Sequence, residues 1–116
     1  MSTEQELITK AYQAFNTHDI DSVLAVLHPQ VVWANGMEGG YVHGHAAVRE
    51  YWTRQWQTID PHVEPVSITR QADGTFHVSV HQVVRDKAGA LLADQKVIHV
   101  YVIENGLVQR MDIVPE

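Results

Sequence analysis

The spacing of apolar residues changes once along this chain, near residue 60, and that change restricts the fold more than any other feature. Before it, apolar side chains recur every three or four residues; after it, they alternate. The alternation predicts four strands: Val63–Arg70, Thr75–Asp86, Leu91–Glu104 and Leu107–Val114. Their separators, Ala72-Asp73-Gly74, Asp86-Lys87-Ala88-Gly89 and Glu104-Asn105-Gly106, are made of residues that favour tight turns. Links this short join antiparallel neighbours, so the strands form a meander. Helices first and strands afterwards is the α+β order, with the helices gathered on one side of a curved sheet.

The helical half begins with a capping box, Thr3-Glu4-Gln5-Glu6. Leu7, Ile8, Ala11, Tyr12, Ala14 and Phe15 then keep helical spacing to about Thr17. Asp19 suits the N-cap of a second, short helix carrying Val23, Leu24, Val26 and Leu27, which His28-Pro29 ends. Val31–Ala34 predicts a short strand, followed by a glycine-broken loop from Asn35 to Gly44. A helix from about His45 to Thr58 places Val48, Tyr51, Trp52, Trp56 and Ile59 on one apolar face before Asp60-Pro61 breaks it. All three tryptophans lie between Leu27 and Trp56, and aromatic bulk beside a sharply turning loop is suited to lining an apolar pocket. Trp33, Met37, Trp52, Trp56 and Tyr101 are the candidate pocket wall.

A chain of 116 residues supports one core, so residues 1–116 form a single domain. A net charge of −6, with eight scattered Lys and Arg, excludes a nucleic-acid binder. The lack of cysteine excludes disulfide scaffolds and zinc–thiolate sites. The N-terminus MSTEQELITK is polar and acidic, unlike a signal peptide, and no apolar run reaches membrane-spanning length, so a soluble cytoplasmic protein is expected. No phosphate loop or flavin motif is present, so no cofactor is expected. His43-Gly44-His45, taken with His81 or His99, lacks the spacing of a zinc helix motif, so no metal is expected; Gly44 opens the helix and its flanking histidines are read as exposed.

Two strand registers are compatible with the hairpin at Asp86–Gly89. A three-residue loop closed by a left-handed Gly89 sets His81 opposite Gln95 and His77 opposite His99. One face then carries His77, Ser79, His81, Val97, His99 and Tyr101, and the other Phe76, Val78, Val80, Ile98, Val100 and Val102. A four-residue loop flips the pairing and puts His99 beside Phe76 and Val78. In both, the last strands are apolar on both faces, so one face covers the helices and the other is expected to meet a second copy as a homodimer.

Three ordered segments, AYQAFNTHDIDSVLAVLHPQVVW, GxxxxHGHAAVREYW and HVYVIENGLVQRMDI, resemble the SnoaL-like and ketosteroid-isomerase-like members of the nuclear transport factor two superfamily. The resemblance covers nearly the whole chain. It implies a cone-shaped, strongly curved, mostly antiparallel sheet with three N-terminal helices, a cystatin-like roll. That fold hosts isomerases, polyketide cyclases, dehydratases, epoxide hydrolases and plain binding modules, so it specifies shape better than chemistry. By this resemblance Tyr12 falls where the isomerases keep an oxyanion-hole tyrosine, Asn35 where they keep a carboxylate base, and His99 where they keep a protonated aspartic acid. Trp52 falls about where they place a supporting tyrosine. Asparagine cannot abstract a proton, and there the isomerase pattern is broken.

Each candidate has a structural reading beside the chemical one. Tyr12 is either a core tyrosine or a donor to a carbonyl or enolate oxygen. His99 is either a hydrogen-bonded strand residue or, with His81 as the alternative, the group that moves a proton. Asn35 is either a turn residue, given Asn35-Gly36, or an amide that orients substrate. Asp112 is either an inward carboxylate that meets substrate or the partner of Arg110 or Arg49. Together these residues predict cofactor-free acid–base chemistry of isomerase, cyclase or dehydratase type on a small apolar carbonyl or hydroxyl compound. The alternative is a non-catalytic binding or association module with the same pocket, which the missing carboxylate base favours.

Overall fold

The computed structural model describes residues 3–35 and 39–115. Three helices precede most of the sheet: α1 (Thr3–Asn16), α2 (Ile20–Leu24) and α3 (Gly44–Thr58). The strands are β1 (Leu27–Ala34), β2 (Tyr41–His43), β3 (Ile59–Arg70), β4 (Phe76–Asp86), β5 (Leu91–Glu104) and β6 (Leu107–Pro115). They form one sheet in the order β2-β1-β6-β5-β4-β3. The last four make the expected antiparallel meander, and the β1–β6 pair is parallel. This is the predicted α+β architecture.

The helices form where the apolar stripes place them. Ile8, Ala11 and Tyr12 bury one side of α1 against the sheet. Asp19 caps α2, its carboxylate accepting from the Ser22 N–H at 3.3 Å. Gly44 opens α3 with φ +83°, and a Cβ there would lie 3.3 Å from the Pro29 carbonyl oxygen. His45 is not exposed as expected: its Nε2 lies 2.8 Å from the Leu27 carbonyl oxygen and ties the start of α3 to β1.

Four boundaries differ from the sequence pattern. Helix α2 stops at Leu24, short of the Val26 and Leu27 expected on it. Strand β1 starts four residues early, at Leu27, because β6 supplies a parallel partner; the pairing is irregular between Leu27 and Val32, where Pro29 has no N–H to give. The glycine loop contains strand β2, which folds back on β1 with Val32 opposite His43. Ile59 does not extend the α3 face; it takes extended backbone and begins β3, with its side chain buried.

Registers shift at Pro65/Ser67, Val84/Arg85 and Val102/Ile103, as well as in the β1–β6 pair. Each extra residue bends its strand and adds twist, curling the sheet around α1 and α3. The shift at Val84/Arg85 decides the site. Asp86 pairs its N–H with the Ala90 carbonyl at 2.9 Å and Gly89 has φ +94°, so the three-residue loop forms as predicted. Arg85 then pairs with Leu91, yet Val84 pairs with Ala93. Leu92 is the extra residue, and beyond it the register is the flipped one, with Val78 opposite His99 and Phe76 opposite Tyr101. The two alternatives are thus both realised, one at the turn and one along the strands.

The inward face carries Phe76, Val78, Val80, Val97, His99 and Tyr101, packed with Trp33, Trp52 and Met111 into one core. At the sheet edge, Asn16 imitates a strand: its Nδ2–H donates to the Val63 carbonyl at 2.8 Å and its Oδ1 accepts from the Val63 N–H at 2.9 Å. That pair anchors the end of α1 to β3. Among the described residues, no helix is long and apolar enough to cross a membrane.

Candidate functional site

Between α1, α3 and the inward face of the sheet lies a cavity of about 70 Å³. Its polar wall is formed by Tyr12, Tyr51, Gln55, Gln82, His99 and Tyr101, and Trp33, Trp52 and Met111 are among its apolar wall residues. Tyr12 comes from the buried stripe of α1, one turn before the helix ends. His99 and Tyr101 come from alternate positions of β5, and both face inward only because Leu92 is bulged.

The tyrosines and the histidine form one chain of hydrogen bonds. The Tyr101 hydroxyl donates to the Tyr12 oxygen at 2.8 Å, and the Tyr12 oxygen lies 2.7 Å from His99 Nδ1. The Tyr12 hydroxyl, accepting from Tyr101, keeps its own proton available for Nδ1. In the arrangement where Tyr12 donates to Nδ1, His99 is the tautomer that carries hydrogen on Nε2. Burial lowers the imidazole from its ordinary 6.5 to about 4, so His99 is neutral near neutral pH. Burial, followed by the neighbouring Tyr101, raises Tyr12 well above the usual phenol range, and burial raises Tyr101 as well. The cavity thus meets neutral hydrogen-bonding groups, and among the described residues no carboxylate lines it.

Tyr12, His99, Tyr101, Trp33 and Trp52 are brought together at the cavity. His81 is not: it lies on the outward face, its Nε2 2.6 Å from Asp94 Oδ1. The bulge at Leu92 is the reason, since it puts His81 and His99 on opposite faces. Asn35 does not line the cavity either; it begins the turn to β2, with Gly39 N–H donating to its carbonyl at 2.9 Å. Asp112 also faces outward, where Arg110 Nε donates to it at 2.8 Å and the Tyr41 hydroxyl also donates. That guanidinium holds the Asp112 carboxyl below its usual range, so Asp112 is a surface pair partner, not an inward ligand. Trp56 stops short of the cavity and stacks on His18 at 4.3 Å between ring centroids. Met37 lies outside the described residues.

Sequence reasoning passed over Tyr51, Gln55 and Gln82. A signal existed: Gln55 is polar within the apolar stripe Val48, Tyr51, Trp52 and Trp56, and Gln82 interrupts the inward series Val78, Val80 and Val84. Among the described residues, no group of three His, Asp or Glu is placed to hold a metal ion.

Residues 8–111 match the SnoaL-like domain family. The chain belongs to that family. Among solved structures, this SnoaL-like domain is similar to an NTF2-like protein of unknown function from Burkholderia pseudomallei. The two are 27% identical with a TM-score of 0.86, covering 100% of this chain and 92% of that one. It is also similar to TerC, co-crystallised with polyporic acid: 25% identity, TM-score 0.85, 99% of this chain and 92% of that one. A Mycobacterium tuberculosis protein in complex with estradiol-17β-hemisuccinate shares the fold at 14% identity and TM-score 0.81, over 96% of this chain and 92% of that one. No curated protein matches the sequence at a significant level.

Proposed function

We propose that this SnoaL-like domain binds a small apolar molecule bearing a carbonyl or hydroxyl in its cavity. There it performs cofactor-free acid–base chemistry of isomerase, cyclase or dehydratase type. The observation that carries this is the buried Tyr101–Tyr12–His99 chain at the cavity wall. Its hydrogen bonds leave the Nε2–H of a neutral imidazole as the donor for a substrate oxygen. In a dry site such a donor stabilises charge that develops on that oxygen without having to reorganise. Tyr12, itself fed by Tyr101, holds the imidazole in that tautomer and shares in the polarisation. Trp33 and Trp52 supply the apolar wall. The similarity to TerC, which was crystallised with polyporic acid, supports the ligand class.

The second reading is binding without turnover. No carboxylate among the described residues lines the cavity, and an imidazole held near pKa 4 is a weak base, so the described residues offer no strong agent for proton abstraction. Steady-state rates against pH on small ketones and hydroxy compounds separate the two. Turnover that disappears in His99→Gln supports catalysis; ligand-dependent melting without turnover in either protein supports the binder.

The outward sheet face belongs to the same proposal. Val83, Ile98, Val100 and Val102 are half-buried there and Val114 is exposed, which supports a homodimer through that face. Sedimentation equilibrium tests it, with Val100→Lys expected to yield monomer.

A further inference from the structure

The last turn of α3 contains two buried polar atoms with no hydrogen-bond partner, Gln55 Oε1 and Trp56 Nε1. Each is costly in a folded core, and native interiors keep very few of them. Only Gln55 belongs to the cavity wall. Its other amide atom is engaged, Nε2 donating to the Tyr51 oxygen at 3.3 Å, which orients Oε1 as an unused acceptor. The opposite polarity stands at the Tyr12–His99 group of the same cavity, where the arrangement proposed above makes the ring Nε2–H a donor. One cavity therefore offers a donor from a β5 histidine and an acceptor from an α3 amide.

We infer that Gln55 is the specificity-determining residue of this cavity, accepting a hydrogen bond from a hydroxyl on the ligand, so that the ligand class is hydroxy-carbonyl compounds. This deepens the proposed function and rests on it. A carbonyl oxygen answers the imidazole N–H, and an O–H answers Gln55 Oε1. An analogue without the hydroxyl leaves that acceptor buried and unpaired, which is how a polar site rejects a near-isostere. The volume of about 70 Å³ adds a size limit, since even benzene occupies a cavity of roughly 150 Å³. The ligand is therefore smaller than benzene, on the scale of a three- or four-carbon hydroxy ketone.

The test uses acetone and hydroxyacetone, titrated calorimetrically and by the fluorescence of Trp33 and Trp52. The wild type is expected to bind the hydroxy ketone at least about tenfold more tightly. In Gln55→Leu that ratio falls to within about threefold, with acetone bound no worse than before. Gln55→Glu, which keeps an acceptor, retains the preference and guards against a Leu variant that fails to fold. A preference that survives in Gln55→Leu, disappears in Gln55→Glu, or is missing from a wild type that binds both ketones overturns the role of Gln55 alone. A wild type that binds neither ketone overturns the cavity reading and this inference together.

Discussion

Tyr12 and His99, 87 residues apart, meet across the core through a 2.7 Å hydrogen bond, their rings stacked with centroids 5.9 Å apart. The contact joins the first helix to the middle of the sheet and engages one imidazole nitrogen, Nδ1. It therefore contributes to stability and to the chemistry of the cavity at once. Tyr101 completes the arrangement, packing edge-on to Tyr12 at 6.2 Å between centroids.

Removing the shared hydroxyl should separate those contributions. Tyr12→Phe keeps the ring and leaves Tyr101 and His99 Nδ1 without their common partner in a dry core. The expected cost is about 1–3 kcal/mol in denaturant unfolding. Nitrogen-detected NMR of the imidazole should show the single tautomer replaced by a mixture.

His99 predicts a pH dependence with a definite sign. The unfolded imidazole takes up a proton near 6.5 and the folded one only near 4. Between those values the unfolded state binds more protons, so this contribution is complete above pH 6.5 and is lost as the pH falls towards 4. A shift of that size corresponds to about 3 kcal/mol. Wild-type stability minus that of His99→Gln, measured from pH 7.5 to 4, should fall across this window. A flat difference would refute the neutral, buried imidazole.

Leu92 offers a test of the register. Its side chain is 56% exposed, so Leu92→Ala should change stability by no more than about 0.5 kcal/mol. Deleting Leu92 removes the residue that lets the three-residue loop coexist with an inward His99. Either the loop must be rebuilt or the rest of β5 must turn its buried side chains outward. Loss of on the order of 3 kcal/mol or more is expected, together with the near-ultraviolet signal of the packed tryptophans.

His81 should be silent. Its pair with Asp94 is exposed, at 40% and 53% of the side chains, so His81→Ala should cost no more than about 1 kcal/mol. Ligand affinity at the cavity should be unchanged. A loss of binding comparable to that in His99→Gln would mean that the outward face takes part in the site.

The chain's own residues determined most of the local structure. The apolar spacing of α1, the capping of α2 by Asp19, the switch to alternation near residue 60, and the Gly-containing turns at Gly74, Gly89 and Gly106 act over a few residues, so a local pattern suffices to place α1, the start of α2 and the four-strand meander. The candidate site was only partly legible for the same reason. Tyr12, Trp33, Trp52 and Tyr101 announce themselves as large apolar-faced side chains in the right elements, whereas the sides taken by His81, His99 and Asp112 depend on which strand residue is skipped. A bulge at Leu92 is chosen by how two strands and the helices above them pack, and no short pattern around Leu91-Leu92-Ala93 encodes it. The parallel β1–β6 pairing, strand β2, the contact from His45 to Leu27 and the unpartnered oxygen of Gln55 are likewise tertiary outcomes. Sequence sets what each residue can bond; only the closed fold decides which of those bonds has a partner within reach.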